Sequence, residues 1–345
     1  MNAAASLRAS FYGPDGPLGL PPQNLRDPRR HTINGDVEAL RWRRTIVPVN
    51  YADYSAHCRQ IKETISEDSI FEVEQPSEAP TTSSQLARMF TIWPYRDANW
   101  IVAILFVVGS ISFVVNAFFT LLTAFAPSTI FPGEAELAVP LTILFGAVLF
   151  LSGGTLGLVA GWNADKGTFE PVEYKTEDGV TKTYKPALLG SNAWSWIPTA
   201  ADFKAALRTF PFVLTLVQFS GGLILSISIV GGWPGVFAPD DIMSLQIFLF
   251  TPLSVGGILF LFANLSLLIW LQDRWYKPKP SSASWQAAFW SSVGSANFAI
   301  TGFALFMGDA STSAIATFIG AWTFLVGSVF QWYDLMAFHP DGWAA

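Results

Sequence analysis

Residues Asn99–Phe125 read NWIVAILFVVGSISFVVNAFFTLLTAF, a run with no charged side chain and yet one carboxamide, Asn116, well inside it. An α-helix needs about 20 apolar residues to cross the hydrocarbon of a bilayer, so this run is long enough to span. Five more charge-free runs follow, near 139–161, 211–232, 247–271, 286–307 and 313–333. The chain of 345 residues is 51% hydrophobic and 13% charged, against roughly 25% charged residues in soluble domains. The sequence therefore predicts an all-α membrane protein with six transmembrane helices.

Charge sets the expected orientation. Of the 20 Lys and Arg, 11 precede residue 99, six lie in the 163–209 loop and three lie between Asp273 and Ser284. The alternate loops carry only Glu134, Glu136, Asp240, Asp241 and Asp309 as charges. Basic residues near the ends of spans stay in the cytosol, which predicts both termini there. The polar stretch before residue 99 offers no secretory signal, so the first span is expected to act as the insertion signal. The net charge of −6 gives nucleic acid no basic surface to bind. Cys58 is the one cysteine, which excludes an intramolecular disulfide.

The expected organisation alternates soluble and membrane pieces. Residues 1–98, rich in Pro, Gly and charge, read as a mostly disordered cytosolic region, with a short helix near 52–66 and a basic RWRR cluster at 41–44. That cluster suits either anionic lipid or a solvated, topology-setting role. Helical hairpins are expected at 99–162, 210–272 and 285–333. They are separated by a cytosolic insertion at 163–209 and a linker at 273–284, and a tail at 334–345 follows. In the insertion, alternation around Asp178-Gly179 predicts a small β-hairpin. Thr199 and Asp202 then suit the start of a short surface helix whose apolar face carries Phe203, Ala206, Leu207 and Phe210. Tryptophans such as Trp93, Trp162, Trp270 and Trp332 stand near the expected span ends, as interfacial belts do.

The three hairpins resemble one another. In WIVAILFVVGSISFVVNAFF, FVLTLVQFSGGLILSISIVG and WQAAFWSSVGSANFAITGFA, an aromatic residue (Trp100, Phe212, Trp285) stands nine positions before a Gly (Gly109, Gly221, Gly294). A large apolar residue follows that Gly at +4 (Phe113, Leu225, Phe298), and a polar one at +7 (Asn116, Ser228, Thr301). In the second helices, Gly146, Gly256 and Gly320 are followed at +4 by Phe150, Phe260 and Phe324. Offsets of four and seven stay on one helical face. Lipid supplies no hydrophobic drive between helices, so small residues and interhelical hydrogen bonds must hold them. The fold class expected is thus six transmembrane helices arranged as three pseudo-repeated hairpins. Asn116, Ser228 and Thr301 either pack between helices or line a shared axial pathway, and Asn264 and Asn297 suit either arrangement.

The GS-x-x-F step of a first span, Gly109-Ser110 to Phe113 and Gly294-Ser295 to Phe298, followed by G-x-x-x-F-L-x-G-S in a second, resembles the YrhK-like two-helix membrane module. The similarity covers Asn99–Trp162 and Trp285–Trp332, while the central copy diverges, with Ala263-Asn264 in place of Gly-Ser. The chain also resembles polytopic integral membrane proteins of filamentous fungi. Neither resemblance implies catalytic residues.

Little chemistry is offered. The expected spans hold no Asp, Glu, Lys, Arg or His, which argues against a proton-coupled transporter or a voltage sensor. His31, His57 and His339 are scattered, and the FHPDGW tail reads as solvated; no metal or cofactor is expected. The acidic outer loops suit either a Ca²⁺ site or a face stripped of basic residues by topology. The sequon at Asn264 falls inside a span and is not expected to be glycosylated. The sequence points to a non-enzymatic scaffold of the membrane, its partners membrane lipids and cytosolic proteins held by the N-terminal arm; which membrane is left open. The alternative is a facilitator or channel for a small neutral or lipid-like molecule along the pseudo-threefold seam. Intramembrane catalysis would have to rely on edge residues such as Asp97, Asp273 or Asp334.

Overall fold

The structure, a computed structural model, describes residues 47–48, 82–164, 172–175, 181–184, 189–191, 194–272 and 274–337. The RWRR cluster, the expected helix near 52–66, Cys58, the three histidines, Asp178-Gly179, Asp273 and the FHPDGW tail lie outside the described residues.

Nine α-helices are described: α1 (Thr82–Thr91), α2 (Ala98–Phe125), α3 (Val139–Trp162), α4 (Ala200–Ala206), α5 (Phe210–Gly231), α6 (Ile242–Leu245), α7 (Thr251–Trp270), α8 (Ala283–Phe306) and α9 (Ala310–Ala337). Strands β1 (Val47–Pro48) and β2 (Ile92–Trp93) pair in parallel, while β3 (Val172–Lys175) and β4 (Thr181–Tyr184) pair antiparallel, Val172 opposite Tyr184. Short π-helical turns, Glu134–Ala138 and Gln246–Phe250, lead into α3 and α7. Each is followed by a proline, Pro140 or Pro252, which has no N–H for the carbonyl four residues earlier. The wider turn accommodates the missing bond.

The helix starts follow local chemistry. The Asp97 carboxylate accepts from Asn99 N at 3.0 Å and opens α2. Thr199 and Asp202 form a reciprocal capping box on α4. Asp309 accepts from Thr312 N at 3.0 Å in the first turn of α9.

Five helical runs, Ala98–Phe125, Glu134–Trp162, Phe210–Gly231, Ile242–Trp270 and Ala310–Met336, are long and apolar enough to cross a membrane. They fit a polytopic membrane protein. The run expected as a span near 286–307 forms a helix of similar length, α8, with 24 residues, but it falls short in hydropathy. The reason lies in its composition. Ser284, Ser291, Ser292, Ser295 and Thr301 on α8 are all buried, and a helix covered by its neighbours needs no wholly apolar surface.

The six long helices close a ring in the order α2, α3, α5, α7, α8, α9 and back to α2. Neighbours run antiparallel. Along α2 and α3, for example, Phe106 lies against Gly153, Phe113 against Gly146 and Asn116 against Thr142, one ascending while the other descends. The helices α2, α5 and α8 start at the side that carries the Lys and Arg, called here the basic side. The opposite, acidic side holds the turns with Glu134, Asp241 and Asp309.

Helical structure reaches beyond what the sequence marks. Within the N-terminal region expected to be mostly disordered, α1 forms at Thr82–Thr91, where Leu86, Met89 and Phe90 give it an apolar face. Met89, 2% exposed, packs with Trp100, Ala103, Leu335 and Met336 at the basic side. Two of the long helical runs also extend past their charge-free stretches to an ionisable group. The helical run before α3 begins at Glu134, and α9 continues through Asp334 to Ala337. Burial of the Asp334 carboxyl is tolerated in the last turn because Ser284 Oγ donates to it at 2.8 Å.

Candidate functional site

The interior of the ring is built first by glycines. A methyl group placed on Gly109 would stand 2.7 Å from Phe150 Cδ2, and one on Gly146 would stand 2.5 Å from Phe113 Cε1. In the α5/α7 pair, Gly221 takes Phe260 at 2.8 Å by the same measure, and Gly256 takes Leu225. In α8/α9, Gly294 takes Phe324 at 2.5 Å, while Gly320 faces Asn297 Cβ at 3.3 Å and Phe298 Cδ1 at 3.8 Å. Each pair of helices thus crosses at two glycines; five of these six glycines are filled closely by a Phe or Leu of the other helix, and Gly320 is met by Asn297 with Phe298 at ordinary contact. Only Gly leaves room for rings this close to a backbone.

These large side chains also meet one another across the ring. Phe113 of α2 lies 6.3 Å from Phe298 of α8, and Phe150 of α3 lies 6.0 Å from Phe324 of α9, centroid to centroid. Phe260 of α7 completes the set at 6.4 Å from Phe324. None of these helix pairs are neighbours in the ring, so the contacts run through its middle. Aromatic rings therefore fill the axis at mid-height, several of them edge to face, the arrangement their quadrupoles favour.

The polar positions are engaged nearer the helix backbones. Asn116 Nδ2 donates to Val139 O at 2.8 Å and to Thr142 Oγ1 at 3.0 Å, so it bonds across its own pair. Thr301 Oγ1 meets Thr317 Oγ1 at 3.1 Å, again within a pair, and Ser228 Oγ donates to Leu225 O at 2.7 Å in its own helix. All three are buried. Asn297 Nδ2 donates to Val293 O at 2.9 Å. Replacing Asn116 with Ala is expected to lower stability by about 0.6–1.7 kcal/mol, the range for hydrogen bonds between membrane helices. Thermal unfolding of the purified protein in detergent checks this.

Two further polar contacts join one pair to the next. Ser110 Oγ of α2 meets Ser328 Oγ of α9 at 3.1 Å, and Asn264 Nδ2 of α7 donates to Ser295 Oγ of α8 at 3.1 Å. Ser110, Ser295 and Ser328 stand in the GS-x-x-F and G-x-x-x-F-L-x-G-S steps of the sequence, but nothing local gives them a bonding role because serine is common in membrane helices. Their positions carried a signal: Ser110 and Ser295 directly follow the glycines at 109 and 294, and Asn264 and Ser328 both stand eight residues after Gly256 and Gly320.

At the basic side, the segment after the β3/β4 pair returns to the ring. Asn163, wholly buried, donates to Ser195 O at 2.8 Å and accepts from Ser195 N at 2.9 Å; Trp162 Nε1 also donates to Ser195 O at 3.0 Å. Arg96 Nε donates to Leu189 O at 3.0 Å, and Leu189 N returns a bond to Arg96 O at 2.8 Å. Phe203 and Ala206 of α4 pack on Leu158 and Phe212.

On the acidic side, the carboxylates serve their own turns. Glu134 accepts from Thr123 Oγ1 at 3.1 Å and from Phe131 N at 3.2 Å. Hydrogen bonds from Ser244 hold the Asp241 carboxyl below its usual pKa, and those from Thr312 do the same for Asp309. Among the described residues, no three His, Cys, Asp or Glu side chains gather where they could hold a metal ion. The five outer acids proposed for Ca²⁺ are not brought together.

No family model matches the chain, and neither a curated protein nor a solved structure matches it.

Proposed function

We propose that the protein is a non-enzymatic membrane scaffold: one helical hairpin used three times, six spans in all, with both termini in the cytosol and the N-terminal arm holding cytosolic proteins. The observation that carries this reading is the filled axis. Phe113, Phe150, Phe260, Phe298 and Phe324 occupy the middle of the ring, and Asn116 and Thr301 bond within their own helix pairs. A water-filled pathway would require those groups to face a shared space.

The sixth span in this proposal is α8. At 1.5 Å per residue its 24 residues reach about 36 Å, enough for hydrocarbon about 30 Å thick. An even number of spans also agrees with the confinement of Lys and Arg to alternate segments. The likeness of the first and third pairs to the YrhK-like module belongs to the same proposal.

Single cysteines at Asn116, Ser228 and Thr301, in a chain with Cys58 replaced, test it. A membrane-impermeant thiol reagent is expected to leave all three unlabelled from either side while lipid-facing control positions give only background. Labelling at all three in folded protein would make the facilitator the leading function.

A further inference from the structure

Three seams join one helix pair to the next: α3/α5, α7/α8 and α9/α2. Aligning the pairs on their glycines puts Ser328 and Asn264 at one position of the second helix, and Ser110 and Ser295 at one position of the first. The bonds Ser328 to Ser110 and Asn264 to Ser295 are then the same clamp, formed at two seams. At the third seam the equivalent residues are Gly154 and Gly222, which have no side chain with which to form it. Among the described residues, no side-chain hydrogen bond joins α3 to α5.

Packing shows the same asymmetry. The two clamped seams continue to the acidic side, through Phe250 with Phe306 at 5.5 Å and Phe118 with Phe318 at 5.0 Å. At α7/α8 the backbones come so close that a methyl on Gly257 would stand 2.6 Å from Ala299 N. Between α3 and α5 the contacts lie on the basic half: Gly161 against Phe212 and, more loosely, Gly154 against Phe219. Beyond them no ring pair bridges the two helices among the described residues. In the most apolar stretches of these two spans, 33% and 28% is buried, against 56%, 44% and 50% in the other three candidate spans.

The basic end of this seam is held from outside. The chain between α3 and α5 crosses it, Asn163 grips Ser195 there, and α4 packs on both Leu158 and Phe212. A joint fastened at one end and free of polar clamps along its length has one easy motion.

We infer that the ring opens between α3 and α5 on the acidic side, hinged at the clasp on the basic side, while the other two seams stay shut. The comparison of seams rests on the proposed threefold repeat, and the test separates the two. Nitroxide pairs at Phe145/Ile227, Val255/Ile300 and Ile319/Val115, all exposed positions, report on the three seams in the full chain with Cys58 replaced, reconstituted in lipid nanodiscs. Pulsed electron–electron resonance then gives a distance distribution for each pair.

Similar mean distances support the repeat, and unlike means reject it. The widths test the joint. The α3/α5 pair is expected to give the broadest distribution, with a population at longer distance than either other pair. Building the missing clamp with Gly154→Ser and Gly222→Ser should narrow it, since a Cβ at either position makes only ordinary contacts, 3.4 Å to Phe219 and 3.8 Å to Phe260. Removing the existing clamp with Ser110→Ala and Ser328→Ala should broaden the α9/α2 pair. Three equally narrow distributions in the parent protein would overturn the inference, whatever the serine variants do.

Discussion

Gly257→Ala is expected to destabilise the protein, whereas Gly222→Ala is expected to leave it at least as stable as the parent. The two substitutions are chemically identical and both fall inside long helices. Ala is intrinsically the better helix former by about 1 kcal/mol, which favours both changes equally. What differs is the neighbour. The new methyl at 257 would meet Ala299 N at 2.6 Å, Ala299 Cα at 2.9 Å and Phe298 C at 3.1 Å, all backbone atoms that cannot rotate away. Separating α7 from α8 also lengthens the Asn264 to Ser295 bond. Overpacking of this kind costs about 1–3 kcal/mol, more than the propensity gain, so the net sign is unfavourable. At 222 the methyl finds Phe260 at 3.8 Å, and the propensity term wins. Thermal unfolding followed by loss of the monodisperse peak in size-exclusion chromatography reads both. A Gly257→Ala protein as stable as the parent would mean that α7 and α8 are further apart than described.

Asn163→Ala is expected to release the insertion without unfolding the ring. The side chain is wholly buried, and it satisfies both the N–H and the C=O of Ser195. Its loss leaves the part-buried Ser195 N–H without an acceptor, at a cost of about 1 kcal/mol, the low end for a group removed from water. Trp162 Nε1 continues to hold Ser195 O at 3.0 Å, so the pair Asn163→Ala with Trp162→Phe should act more strongly than either alone. Limited proteolysis is the measurement: cleavage near 189–199 should accelerate, while cleavage between α7 and α9 should not. Equal acceleration everywhere would show that the clasp supports the whole ring.

How much of this was legible in the sequence differs from residue to residue. Runs of apolar residues mark five of the long helices because a lipid-facing surface must be apolar along its whole length. That signal weakens at α8, whose polar face is covered by α7 and α9, so its serines dilute the hydropathy while staying buried. The spacing of Gly109 and Phe113, or of Gly320 and Phe324, reveals a face but not the partner on that face. Whether Phe150 would enter the groove at Gly109 or one on a different pair depends on contacts distant in sequence. The positions of Ser110 and Ser328 are 218 residues apart, and no local pattern announces that they meet. The opposite failure occurs at Asn116. Its carboxamide stands out in the sequence, but the structure gives it the ordinary task of tying α2 to Val139 and Thr142. Short helix α1 was hidden for a third reason, since its apolar face is only Leu86, Met89 and Phe90 at the end of a Ser- and Thr-rich stretch.

The closing of the ring by α9 against α2 joins the first long helix to the last. A ribosome makes α2 some two hundred residues before it makes the serine that α2 must meet. Throughout that interval Ser110, Val114 and Ala117 face no permanent neighbour, and the nascent chain is an open arc rather than a ring. A premature stop codon before Ser328 would leave the arc permanently unclosed, even though most of the helices had been synthesised. Quality-control machinery that inspects helices within the bilayer would meet this one surface in every product truncated between the end of α2 and Ser328.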